Sequence, residues 1–106
     1  GGLDVPKQLS EMFLRESLKL DPDSPNSLMS LAVTYHLDRQ MDREKPLLER
    51  YLDIDPTNPQ ALRLAIQVAG VLKDRLFADR VLALMEAHNP AALPLARDFI
   101  DNAFAS

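Results

Sequence analysis

Two stretches of this chain repeat one another 34 residues apart, and that period limits what it can fold into more than any other feature. LKLDPDSP begins at Leu18 and LDIDPTNP at Leu52; they share Leu18/Leu52, the aliphatic pair Leu20/Ile54, Asp21-Pro22 against Asp55-Pro56, and Pro25 against Pro59. A third mark, Asn89-Pro90, falls in phase, so Pro22, Pro56 and Pro90 are evenly spaced. Proline inside a helix removes an amide donor and clashes with the preceding turn, so the upstream helices must stop near Leu20 and Ile54. Asp21 and Asp55 suit the turn by accepting from local backbone donors. Ser24-Pro25 and Asn58-Pro59 then read as an N-cap followed by proline at the first helical position, where a missing N–H costs nothing. Asn89-Pro90 is expected to start a helix in the same way.

Between these marks the apolar spacing is helical. One helix is expected over residues 7–20, presenting Leu9, Met12, Phe13 and Leu20. The next, over 25–38, carries Leu28, Leu31, Ala32 and Tyr35 at offsets of three and four, the mark of one buried face. Residues 43–54 follow with Leu47, Leu48, Tyr51, Leu52 and Ile54. The second unit places Leu62, Ala65, Ile66 and Ala69 on 59–72, then Ala78, Val81, Leu82 and Met85 on 75–88. A last helix over 91–104 offers Leu95, Ala96, Phe99, Ile100 and Ala103. Six helices joined by two to five residues make antiparallel neighbours. A plain bundle could use the same elements, but a 34-residue register favours hairpins stacked in series.

Composition agrees. With 106 residues, 46% hydrophobic and 26% charged, the chain can bury one core and is not of a disordered type. Four Phe, two Tyr, no Trp and only three Gly leave Leu, Ala, Val and Met to fill that core, a diet that suits helices. A net charge of -4 with no run of Lys or Arg argues against nucleic acid, whose binding relies on neutralised phosphates. No apolar stretch approaches the roughly 20 residues needed to span a bilayer, so direct membrane insertion by this segment is not expected. The absence of cysteine excludes disulfides and thiolate metal sites and fits either redox compartment. The sequence does not fix the compartment: the cytoplasm is slightly favoured and the periplasm stays open. Residues 1–6, lacking both an initiator Met and a signal-peptide pattern, read as a remnant or flexible lead-in to a single domain over 7–104.

The sequence resembles the tetratricopeptide repeat family, whose unit is a 34-residue helix pair followed by a proline at the place of Pro22, Pro56 and Pro90. The unit at about 25–58 has Leu28 where the family usually has a large aromatic, then Leu31, small Ala32 and aromatic Tyr35 as the family prefers. The unit at about 59–92 has Leu62, Ala65, Ile66 and Ala69 in those places and keeps Ala78 where its two helices cross. The matching small position in the first unit is Glu44, and Pro46 follows two residues later. That departure makes the start of the helix over 43–54 uncertain between Asp42 and Lys45-Pro46. The resemblance implies an all-α fold of antiparallel helix hairpins stacked as a right-handed solenoid, with a half-unit at each end.

It also implies a concave surface lined by the first helix of each unit. The family's recognition positions transfer to Asn26, Met29, Val33 and His36, and to Gln60, Arg63, Gln67 and Gly70. This set is a mixed groove: apolar Met29 and Val33, amides for backbone groups, and Arg63 with a planar fork for a carboxylate. Each has a quieter reading too. Met29 and Val33 could contact a neighbouring helix, Arg63 could be solvated, His36 could sit near a helix end, and Gly70 could allow close helix packing. At the positions where some members of that family grip a C-terminal carboxylate with a lysine and an asparagine, this sequence has Met29 and Val33.

No catalytic constellation stands out. His36 and His88 form no local motif, no glycine-rich phosphate loop occurs, and no metal-ligand spacing or nucleophile–base pair is present. The implied role is therefore a non-catalytic scaffold for a protein or peptide, needing no cofactor or metal. The competing reading is architectural: a segment that extends a larger protein, possibly an enzyme, or joins copies of itself as a homo-oligomer.

Overall fold

The computed structural model describes residues 7–105. Six α-helices follow one another: α1 (Lys7–Leu20), α2 (Pro25–Leu37), α3 (Met41–Ile54), α4 (Pro59–Leu72), α5 (Arg75–His88) and α6 (Leu93–Ala105), with a 3-10 turn at Pro90–Ala92 before α6. There is no strand among the described residues. The lead-in read at residues 1–6 lies outside them.

The period seen in the sequence returns in the backbone. α1, α3 and α5 begin at 7, 41 and 75 and end at 20, 54 and 88, while α2, α4 and α6 begin at 25, 59 and 93. The two matching junctions are built alike. Asp21 Oδ1 accepts from Asp23 N at 3.3 Å, and Asp55 Oδ1 accepts from Thr57 N at 3.0 Å. The caps Ser24 and Asn58 adopt φ/ψ of -68/109° and -69/114°, and each side chain accepts backbone N–H groups of the helix it starts. Proline holds the first position of both helices, as its fixed φ favours.

A second device recurs with the same period. Arg39 and Lys73, again 34 residues apart, take positive φ of 58° and 53°. Each closes the preceding helix in the same manner: Gln40 N donates to Tyr35 O at 2.8 Å and Asp74 N to Ala69 O at 3.0 Å. This left-handed closure usually employs glycine, so sequence punctuation gave no cue.

Three local expectations need correction. α3 starts earlier than either reading of its N-terminus, at Met41, with Gln40 as the cap residue. Pro46 sits inside it and only leaves the Asp42 carbonyl without its intrahelical donor, near enough to the end for the helix to tolerate. Asn89 makes no side-chain cap; Pro90 opens a 3-10 turn and α6 begins in phase at Leu93. Finally, Leu9, Met12, Phe13 and Leu20 of α1 are exposed, as is Leu95 of α6, while Phe99 is partly exposed with its ring against Gly70. α1 instead turns Leu14, Ser17 and Leu18 inward.

The core runs along the middle of the chain, through Leu28, Ala32, Leu48, Leu52, Leu62, Ala65, Ile66, Ala69, Ala78, Val81 and Ile100. Its most extensive helix pairing is α2 on α3, so Pro46 and Glu44 do not loosen that hairpin. Ion pairs join successive second helices: Glu11 on α1 to Arg43 on α3 at 4.0 Å, and Arg80 on α5 to Glu49 at 3.7 Å and to Asp53. Lys45 on α3 reaches Asp74, the N-cap of α5, while lying over the Phe77 ring. On the other side α6 skips back to pack on α4. The radius of gyration, 14.5 Å against roughly 13 Å for a compact domain of this length, and extents of 42 × 28 × 23 Å describe an elongated body.

Candidate functional site

The first helices supply the sequence-derived candidates, and the fold separates them. On α2, Asn26 is exposed near the N-terminus, while Met29 and Val33 are half-buried, with Met29 packed on the core. His36, at the far end of α2, is engaged inside the protein. Its Nδ1 stands 2.9 and 3.0 Å from the two carboxylate oxygens of Glu44.

Glu44 is wholly buried on α3, where the sequence pattern prefers a small residue. Burial pushes its carboxyl above the usual range, and the hydrogen bond and charge of His36 oppose that push. The imidazole thus serves as the internal partner that lets an acidic side chain occupy a helix crossing.

On α4, Gln60 is exposed near the start and Gly70 is buried near the end. A Cβ on Gly70 would come within 2.6 Å of Phe99 Cε1 and 3.2 Å of Ala103 Cβ. Gly70 therefore makes room for Phe99 and Ala103 of α6. Arg63 and Gln67 lie between these extremes and share one face of α4.

That face borders a groove of about 410 Å³ between α4, the C-terminal end of α5 and α6. Arg63, Ile66 and Gln67 form one wall, Leu95, Ala96 and Phe99 the other, and Met85 and Asn89 lie at its end. Its lining is mostly apolar and contains a single charged side chain, Arg63. Arg63 is exposed and enters no ion pair among the described residues, in contrast to Arg15, Arg43, Arg50, Arg75 and Arg80. Such a groove can accept an apolar side chain while presenting a planar cation to a neighbouring carboxylate.

No protein-family model, curated protein or solved structure matches the chain.

Of the eight candidates, then, the structure brings Arg63 and Gln67 together in one groove. It places Asn26 and Gln60 on open surface, gives Met29 and Val33 partly to packing, and commits His36 and Gly70 to internal contacts. Ile66, Met85, Leu95 and Phe99 complete the groove and were assigned to core faces by their spacing. One signal was available. Leu95 and Phe99 occupy the register of Ala61 and Ala65, both fully buried, so two large residues stand where the preceding unit has two small ones. Among the described residues no group of three or more His, Asp or Glu gathers to hold a metal, and no helix is long and apolar enough to cross a membrane.

Proposed function

We propose that this chain is a non-catalytic protein- or peptide-binding scaffold, a tetratricopeptide-like stack of helix pairs whose recognition surface is the α4–α6 groove. The observation that carries this reading is the groove's composition: an open apolar trough with one guanidinium that enters no ion pair among the described residues, Arg63, and two amides, Gln67 and Asn89. Fully apolar grooves in a monomer favour indiscriminate association, whereas a few placed polar groups orient a ligand. The recurring helix boundaries and the elongated body support the stacked arrangement, in which first helices line a common surface. The ligand class that fits is an amphipathic segment with a bulky apolar side chain next to a carboxylate.

Selection of a displayed peptide library on the folded chain tests this. The expected result is a recurrent acidic–apolar consensus whose binding, measured by calorimetry, drops at least about tenfold in Arg63→Glu/Leu95→Asp. Both residues are exposed, so circular dichroism should be unchanged. Absence of any consensus, or equal binding by the variant, overturns the assignment.

A further inference from the structure

The groove has a counterpart on the same molecule. Leu9, Met12, Phe13, Glu16 and Leu20 fall at offsets of 3, 4, 7 and 11 along α1, which places them in one stripe of the helix. All five are exposed, Phe13 to 67% and Leu20 to 90%. Side chains of this size, contiguous and turned to water, mark a surface made to be covered. The stripe has one charge. Among the described residues Glu16 pairs only with Lys19 on its own helix, a solvent-exposed pair that is easily exchanged. Helix and groove are thus complementary in kind: four large apolar groups and one carboxylate on α1, an apolar trough and one guanidinium between α4 and α6.

We infer that the groove receives α1 of a second copy of this chain, with Phe13 and Met12 against Leu95, Phe99 and Ile66, and Glu16 facing Arg63. This rests on the groove being a recognition surface and names its occupant. Among the described residues α1 packs on α2 and shares no extensive contact with α4 or α6, so the two patches do not meet within one molecule. Lengths agree, since α1 with 14 residues and α6 with 13 each run about 20 Å. The mode is a helix laid in a groove, read through anchors spaced three and four residues apart. Because two different patches meet, the contact is head to tail and propagates into short chains of molecules instead of closing as a two-fold dimer. One helix covers an area at the low end of specific interfaces, so the association is weak, with a dissociation constant on the order of 0.1 mM.

Sedimentation velocity of the full chain between about 5 and 500 µM brackets that range. The wild type is expected to rise above its monomer mass of 11.9 kDa with concentration. Phe13→Asp and Leu95→Asp each remain monomeric alone, yet an equal mixture recovers a 1:1 pair, because one variant keeps an intact groove and the other an intact α1. Arg63→Glu weakens association about tenfold, and adding Glu16→Arg to the same chain restores it.

Three results overturn the inference: a wild type that stays monomeric throughout, a Leu95→Asp variant that associates like wild type (an α1-to-α1 dimer), or a mixture that stays monomeric. A monomeric wild type that still selects a peptide consensus through Arg63 and Leu95 removes the second copy as occupant and leaves the groove's function standing.

Discussion

Replacing His36 with leucine tests the least ordinary feature of the fold. Leucine fills much of the imidazole's volume, keeps water away from the crossing of α2 and α3, and donates no hydrogen bond. Glu44, fully buried, is then left without its partner. It cannot remain ionised there without a large desolvation cost, so it takes up a proton. Against an ordinary value of 4.5, holding that proton at pH 7 costs about 3.4 kcal/mol, at about 1.4 kcal/mol per pH unit. A similar figure, about 3–5 kcal/mol, is typical for breaking a buried ion pair by removing one member. Since a domain of this size has roughly 5–15 kcal/mol in total, the variant should be visibly weakened in urea at pH 7.

The sign of the pH dependence follows from linkage. A group whose folded-state value is raised contributes stability below its unfolded value and loses it as pH rises through the folded value. His36→Leu should therefore lie close to wild type near pH 4.5 and fall progressively behind it toward pH 7. Adding Glu44→Ala, which installs the small residue that the register prefers, should recover most of the loss at pH 7. Urea denaturation followed by circular dichroism at several pH values reads all of this. A loss that does not vary with pH, a loss below about 1 kcal/mol, or a double variant no better than the single refutes the reasoning.

Four further outcomes follow from the same structure. Lys45 and the Phe77 N–H hold the Asp74 carboxyl below its usual range, so its contribution is present above about pH 4 and lost as pH falls through the folded value; Asp74→Ala removes both cap and ion pair, should cost about 1–2 kcal/mol at neutral pH by chemical denaturation, and should flatten the acid limb of stability against pH. Asn58→Ala should cost more than Ser24→Ala, each about 0.5–2 kcal/mol, because Asn58 accepts from two helix N–H groups and donates to the hydroxyl of buried Tyr51 at 2.6 Å, whereas Ser24 accepts from one and donates only to nearby Ser27; equal losses in denaturant melts would contradict this. Gly70→Val drives a branched side chain into Phe99 and Ala103 and should cost about 1–3 kcal/mol, with faster hydrogen exchange confined mainly to α6. Arg39→Gly relieves a left-handed residue and should raise stability by about 0.5–1 kcal/mol in the same melts, and a decrease would show that its side chain contributes more than its backbone costs.

Much of the helical framework was legible because it rests on local chemistry. Proline after an aspartate ends a helix, and proline after Ser or Asn begins one, so the boundaries at Leu20, Pro25, Ile54 and Pro59 needed no tertiary information. Glu44 and Pro46 misled at the start of α3, since a proline past the first turn removes one bond whereas helix packing on α2 stabilises the whole element. Arg39 and Lys73 were illegible for a related reason: a side-chain-bearing residue in the left-handed region reflects what the flanking helices require, not its own preference. The candidate site was legible in part. Position along the first helices found Arg63 and Gln67, but periodicity assigned Leu95 and Phe99 to a core face because it records that a side is apolar without saying what covers it.

The sequence by itself determined the number of helices, their order and the 34-residue rhythm of their ends, since caps, prolines and apolar spacing act within a few residues. Tertiary structure decided the rest. It paired His36 with Glu44 across a crossing, used Gly70 to admit α6 onto α4, and left Leu9, Met12 and Phe13 in water while opening a groove beside Arg63. These outcomes depend on the close approach of segments distant in the chain, where volume, desolvation and the presence or absence of a covering neighbour set the energy. No local preference encodes them.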